Sequence, residues 1–149
     1  MKKLLLLASL LIIIGSCKKD AVDYMALDKK TIEDYLTAHG LTAQTTSEGL
    51  YYIIDTPGGS THPTTASYVK IHYKGYLTDG TTFDQTTGTP VTLSLASVIK
   101  GWQIGVPLFG KGGKGHLFIP SDLGYGETAY DKIPAHSVLI FDIVLSDFN

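Results

Sequence analysis

The run Gly110-Lys111-Gly112-Gly113-Lys114-Gly115 spells G-x-G-x-x-G, a spacing at which backbone amides can close around a pyrophosphate. That chemistry needs a strand before the glycines and a helix after them, so that the phosphate meets a helix N-terminus. Here a helical pattern precedes and a strand pattern follows, and the run reads as a flexible turn. Residues 105–112 miss a P-loop for the same reason, and Gly112 stands where a magnesium-binding hydroxyl is required. The histidines, His39, His62, His72, His116 and His136, fall at no zinc-ligand spacing, so no metal site is expected. No G-x-S-x-G elbow presents a serine nucleophile. All twelve basic residues are Lys, and the absence of Arg removes the fork that reads phosphate and guanine, so nucleic acid is excluded as an expected partner. Cys17 is the only Cys, which leaves no disulfide and no thiol chemistry.

Cys17 does have a use in its own context. Lys2 and Lys3 precede residues 4–14, where only Ser9 is polar, a signal-peptide pattern too short for a comfortable membrane span. Ile14-Gly15-Ser16-Cys17 resembles a bacterial lipobox, in which the Cys is acylated and becomes the new N-terminus. The expectation is a leader over residues 1–16 and a lipidated tether over 17–25, with several acyl chains on Cys17 holding the protein to a membrane. Lys18 after Cys17 points to the cell envelope, and to the outer membrane of a Gram-negative bacterium. Loss of the leader would leave a net charge of about −4.

The remaining length and the 44% hydrophobic content support one ordinary domain. Residues 26–49 are expected to hold a helix and a linker. Asp28 is placed to cap the helix, Ile32, Tyr35 and Leu36 share a face, and Gly40 ends it after about three turns. That face has two readings, packing on the main domain or docking a partner, and packing is the better supported.

From residue 50 onward the period becomes two. Strands are expected at 50–54, 68–76, 91–95, 115–119 and 137–145, with a hairpin turn at Asp79-Gly80. A short helix at 98–105, capped by Ser97 and stopped before Pro107, interrupts them. The layout is α+β: an antiparallel, strongly twisted sheet of five to six strands wrapped on one short helix, with an additional N-terminal helix.

These strands carry VKIHYKGYLTDGTTFD at 69–84, and after them come VIKGWQIGV at 98–106, LGYG at 123–126 and IPAHSVLIFDIVL at 133–145. The four ordered blocks resemble the FKBP-type peptidyl-prolyl isomerases over roughly residues 50–145, and the implied isomerase domain is 50–149. The resemblance implies an apolar pocket for an X-Pro segment of a proline-containing polypeptide. Tyr73, Phe83 and Asp84 match its wall, Val98 and Ile99 its rim, and Trp102 its floor beneath the proline ring. Tyr125 matches the hydroxyl donor to a substrate carbonyl, with Ile133 and Phe141 on the far wall. Ala129 or Tyr130 stands where some members carry His, and Tyr130 is a candidate aromatic lid.

Val91 stands where many members place a pocket Phe, which predicts a wider site or weaker ligand packing. A rapamycin-type macrolide is an implied ligand, and no cofactor is implied. The implied activity is non-covalent rotation of X-Pro bonds during folding of exported proteins. Two other readings stay open: a binding or chaperone module with little turnover, and an interaction protein using Ile32, Tyr35 and Leu36.

Overall fold

The computed structural model describes residues 22–149. The expected leader, Cys17 and residues 18–21 of the expected tether lie outside the described residues.

Helix α1 (Tyr24–Ala38) starts earlier than the spacing predicts because Asp23 is its N-cap, its carboxylate accepting from the Ala26 N–H at 3.1 Å. Asp28 is therefore not the cap. It lies inside the helix, 3% exposed, and accepts from the Ser121 N–H at 2.7 Å. Gly40, with φ +64°, ends the helix as expected, the Leu41 N–H reaching back to the Leu36 carbonyl.

Seven strands follow: β1 (Gln44–Thr45), β2 (Tyr51–Thr56), β3 (Tyr68–Tyr76), β4 (Thr82–Gln85), β5 (Val91–Ser94), β6 (Lys114–Ile119) and β7 (Leu139–Phe148). They form one antiparallel sheet in the order β1-β2-β6-β7-β3-β4, and β5 pairs with the other end of β3. The count exceeds the expected five to six because β1 has two residues and β4 four, too few to show a period.

Alternation sorts the side chains. On β7, Leu139, Phe141, Ile143 and Leu145 join Val69, Ile71, Leu117 and Ile119 in the main core, while Ile140 and Phe118 point to the other face. There α1 lays Ile32 and Leu36 on Phe118, Val138 and Ile140. The packing reading of α1 is thus the correct one. Ile32 is fully buried and Leu36 is 8% exposed, so neither offers a partner face.

Helix α2 (Lys100–Gly105) fills the concave side. Its N-cap is Ile99, with extended backbone and no side-chain cap bond, whereas Ser97 belongs to a separate 3₁₀ turn, Leu95–Ser97. Pro107 opens a further 3₁₀ turn, Val106–Leu108. The helix lies close to the sheet because Gly101 faces the Ile119 side chain, where a Cβ would collide. The glycine run at 110–115 is not a loose turn. Gly110 N–H donates to the Pro57 carbonyl, Gly112 N–H to Leu145, and Gly113 N–H to Gly110, at 2.7–2.8 Å. With Gly110, Gly112 and Gly113 engaged in this way, the run is not an open cradle of amides for a phosphate.

Candidate active site

The concave core leaves a cavity of about 380 Å³ between α2, the β3–β4 edge and the segment joining β6 to β7. Its lining contains Tyr73, Phe83, Asp84, Val98, Ile99, Trp102, Tyr125, Ile133 and Phe141, all singled out from sequence, together with Tyr130. Val91 does not line it. That residue sits at the exposed start of β5 opposite Ile71, and Leu93, opposite Val69, supplies the wall from this strand. The widening expected from Val91 therefore has no basis. Leu93 and Asp131 line the cavity without having been anticipated. The two-residue period of β5 held the signal for Leu93, but the short strand leaves its register open.

Register brings the rings together. Gly75 of β3 pairs with Asp84 of β4 on one side and Phe141 of β7 on the other. A Cβ at Gly75 would meet Phe83 Cε2 at 2.5 Å and Phe141 Cε1 at 2.7 Å, so glycine is what lets both rings occupy the site. Phe83 and Phe141 meet edge to face at 5.5 Å, Trp102 and Phe141 at 5.2 Å, and Tyr73 and Trp102 at 5.1 Å. The Trp102 ring is 3% exposed, and its Nε1–H is buried with no hydrogen-bond partner among the described residues.

The lining also carries polar groups. Tyr73 donates its hydroxyl to Asp84 Oδ2 at 2.6 Å. Burial first, then the hydrogen bond and charge of Asp84, push the Tyr73 phenol well above the ordinary tyrosine range. Tyr125 is raised too, by burial and then by Tyr130 and Asp84. Both phenols therefore stay protonated, as donors, further into the alkaline range than a free tyrosine. The Tyr125 hydroxyl donates no hydrogen bond among the described residues, and Tyr130 stacks on its ring at 4.8 Å and 5°. The Ile99 N–H, ahead of the first turn of α2, likewise has no acceptor among the described residues.

Such a cavity can desolvate a flat apolar segment and offer it hydrogen-bond donors. It brings together no nucleophile with an adjacent base, and among the described residues no group of His, Cys, Asp or Glu could hold a metal. The other histidines serve elsewhere: His62 bonds the Pro107 carbonyl and His136 stacks on Tyr24.

A sequence model described as FKBP-type peptidyl-prolyl cis-trans isomerase matches residues 59–146. The chain is 50% identical over 107 residues to the FKBP-type peptidyl-prolyl cis-trans isomerase FkpA of Buchnera aphidicola, covering 70% of this chain and 42% of that protein. It is 39% identical over 132 residues to FkpA of Escherichia coli, covering 87% and 48%. It thus spans about half the length of the curated relatives it matches. The crystal structure of FkpA from Escherichia coli superposes with a TM-score of 0.75 at 38% identity, over 88% of this chain and 62% of that one. That of a peptidyl-prolyl cis-trans isomerase from Pseudomonas syringae gives 0.72 at 30%, over 87% and 98%.

Proposed function

Because the chain belongs to the FKBP-type peptidyl-prolyl cis-trans isomerase family, we propose that it rotates X-Pro bonds of proline-containing polypeptides, without covalent chemistry, in the cavity lined by Tyr73, Phe83, Trp102 and Phe141. The observation that carries this reading is the box of edge-to-face aromatic rings packed over a buried indole.

Rotation must cross a barrier of about 18–20 kcal/mol set by amide resonance. The planar amide is more dipolar than the twisted one, so an apolar box disfavours the ground state relative to the transition state. The Ile99 N–H and the Tyr125 hydroxyl can hold substrate carbonyls while the bond turns. Tyr73 orients the Asp84 carboxylate at the edge of the box. A thousandfold acceleration asks for only about 4 kcal/mol, within the reach of desolvation plus two hydrogen bonds.

The reading extends to the envelope. The leader and the lipobox-like Ile14-Gly15-Ser16-Cys17 support a lipid anchor on Cys17, with exported proteins as folding clients. A labelled fatty acid should enter the wild type and not Cys17→Ser, and equal labelling would remove the anchor. A macrolide of the rapamycin type is proposed as a ligand of the same box. The isomerase reading is tested by turnover of X-Pro peptides in a protease-free assay with Asp84→Asn beside the wild type. Acceleration that falls in the variant supports it, and a folded wild type that binds the peptides without accelerating them would leave a binding module.

A further inference from the structure

The cavity has a charged side that the aromatic box does not use. Two carboxylates, Asp84 and Asp131, belong to its lining, and no Lys does. Neither carboxylate belongs to an ion pair among the described residues. Asp84 is engaged by the Tyr73 hydroxyl, whereas the Asp131 side chain has no hydrogen-bond partner among the described residues. Lys100 and Lys132 are chain neighbours of lining residues but do not line the cavity.

Asp131 is held there by backbone geometry. Tyr130 and Ile133 exchange both backbone hydrogen bonds, at 2.9 and 2.8 Å, so Asp131 and Lys132 form the tip of a two-residue reverse turn. Asp131 takes φ +48° at its first central position. A left-handed first position in such a turn is where Gly is the comfortable residue, and Asp tolerates it at some cost. At that cost the turn carries a carboxylate, rather than a bare glycine, in the lining of the cavity, immediately after the exposed Tyr130.

We propose that Asp131 is a specificity-determining residue that selects X-Pro segments carrying a cationic side chain, Lys or Arg, at a residue flanking the proline. The inference rests on the isomerase reading of the cavity and names the substrate class within it. Asp131 attracts the cation across a short solvent gap, and Asp84, in the same lining, adds to the field. A Glu at the flanking position meets two like charges and is turned away. The preference is electrostatic and weakens with salt.

The test measures kcat/KM on peptides that differ only in the residue before or after proline, Lys, Leu or Glu, at low and at high salt. Wild type, Asp131→Asn and Asp131→Gly are compared. Asn accepts the left-handed backbone and Gly relieves it, so both variants should fold with a Tm no lower than the wild type by more than a few degrees. Lys peptides should exceed Glu peptides by about three- to fivefold at low salt, the scale of a solvent-exposed charge pair. That ratio, read against the neutral Leu peptide for each protein, should fall by at least half in both variants, the remainder being the field of Asp84, and should approach one at high salt. A Lys-to-Glu ratio near one in the wild type, or one left intact in Asp131→Asn, overturns the selection by Asp131 while leaving isomerisation standing. No turnover of any peptide by the folded wild type overturns the isomerase reading, and this inference with it.

Discussion

Tyr125 contributes a hydroxyl that the fold does not use, since it donates no hydrogen bond among the described residues. Tyr125→Phe should therefore leave stability within about 0.5 kcal/mol of wild type, the usual range for a change that breaks no native contact. It should lower kcat/KM by about tenfold, the worth of one hydrogen bond made to the turning amide. Thermal melts and turnover on the same sample check both halves. Phe141 is the opposite case, 5% exposed and packed on Trp102 and Phe83. Phe141→Ala should cost about 3–5 kcal/mol from the cavity it opens and remove turnover as well. A melt unchanged by that substitution would contradict the packing described. At this scale the sequence was informative wherever a residue sat inside an ordered motif, as Tyr73, Trp102 and Phe141 do. Leu93 and Asp131 escaped notice because a four-residue strand does not reveal its register and a reverse turn over 130–133 does not reveal what its tip approaches.

Among elements, α1 is more than a cover on the outer face of the sheet. Its buried Asp28 accepts from the Ser121 N–H, at the start of the 3₁₀ turn Ser121–Leu123 that delivers Tyr125 to the cavity. Tyr24 stacks on His136, whose N–H donates to the Gly126 carbonyl at the other end of the same segment. Asp28→Ala should cost about 1–3 kcal/mol, because it strands a buried N–H without an acceptor. Asp28→Asn should recover most of the loss, since its amide oxygen can take the same bond. Urea melts of the two variants would contradict the anchor if they fell together.

The spacing of Ile32, Tyr35 and Leu36 made the buried face of α1 legible. The caps were not, for a physical reason: Asp23 and Asp28 are equally good capping types, and only tertiary contact decides that Asp28 is buried against Ser121. The same holds for α2, where Ser97 looks like a cap but the chain leaves its 3₁₀ turn and re-enters helix behind Ile99. Strand β3, with nine residues and one wet face, was readable from Tyr68 to Tyr76 because long alternation leaves a single register.

On the scale of the molecule, α1 covers only one end of the outer sheet face, and the other end is held by charge. His116 on β6 contacts Asp142 of β7 at 2.7 Å and Asp55 of β2 at 3.2 Å, and Tyr76 of β3 donates to Asp142 at 3.0 Å. The Asp142 hydrogen bond raises His116 above its ordinary 6.5 even though burial opposes it. Burial alone would raise Asp142, but the hydrogen bonds from His116 and Tyr76 outweigh it and lower the carboxyl below 3.8. The stabilisation from His116 is full below pH 6.5 and is lost as pH rises through its higher folded value; that from Asp142 is present above pH 3.8 and lost as pH falls through its lower one. Tm should therefore decline on the alkaline side above pH 6.5, and His116→Gln should flatten that decline. Equal alkaline slopes for the two proteins would contradict the cluster.

The apolar box is most directly tested by exchange NMR on an X-Pro peptide at equilibrium, with the purified protein added in substoichiometric amount and a rapamycin-type ligand then titrated in. The box described here predicts cis–trans exchange far faster than the uncatalysed tens to hundreds of seconds, returning to that rate as the ligand fills the cavity. Exchange that stays at the uncatalysed rate with a folded protein present would contradict it.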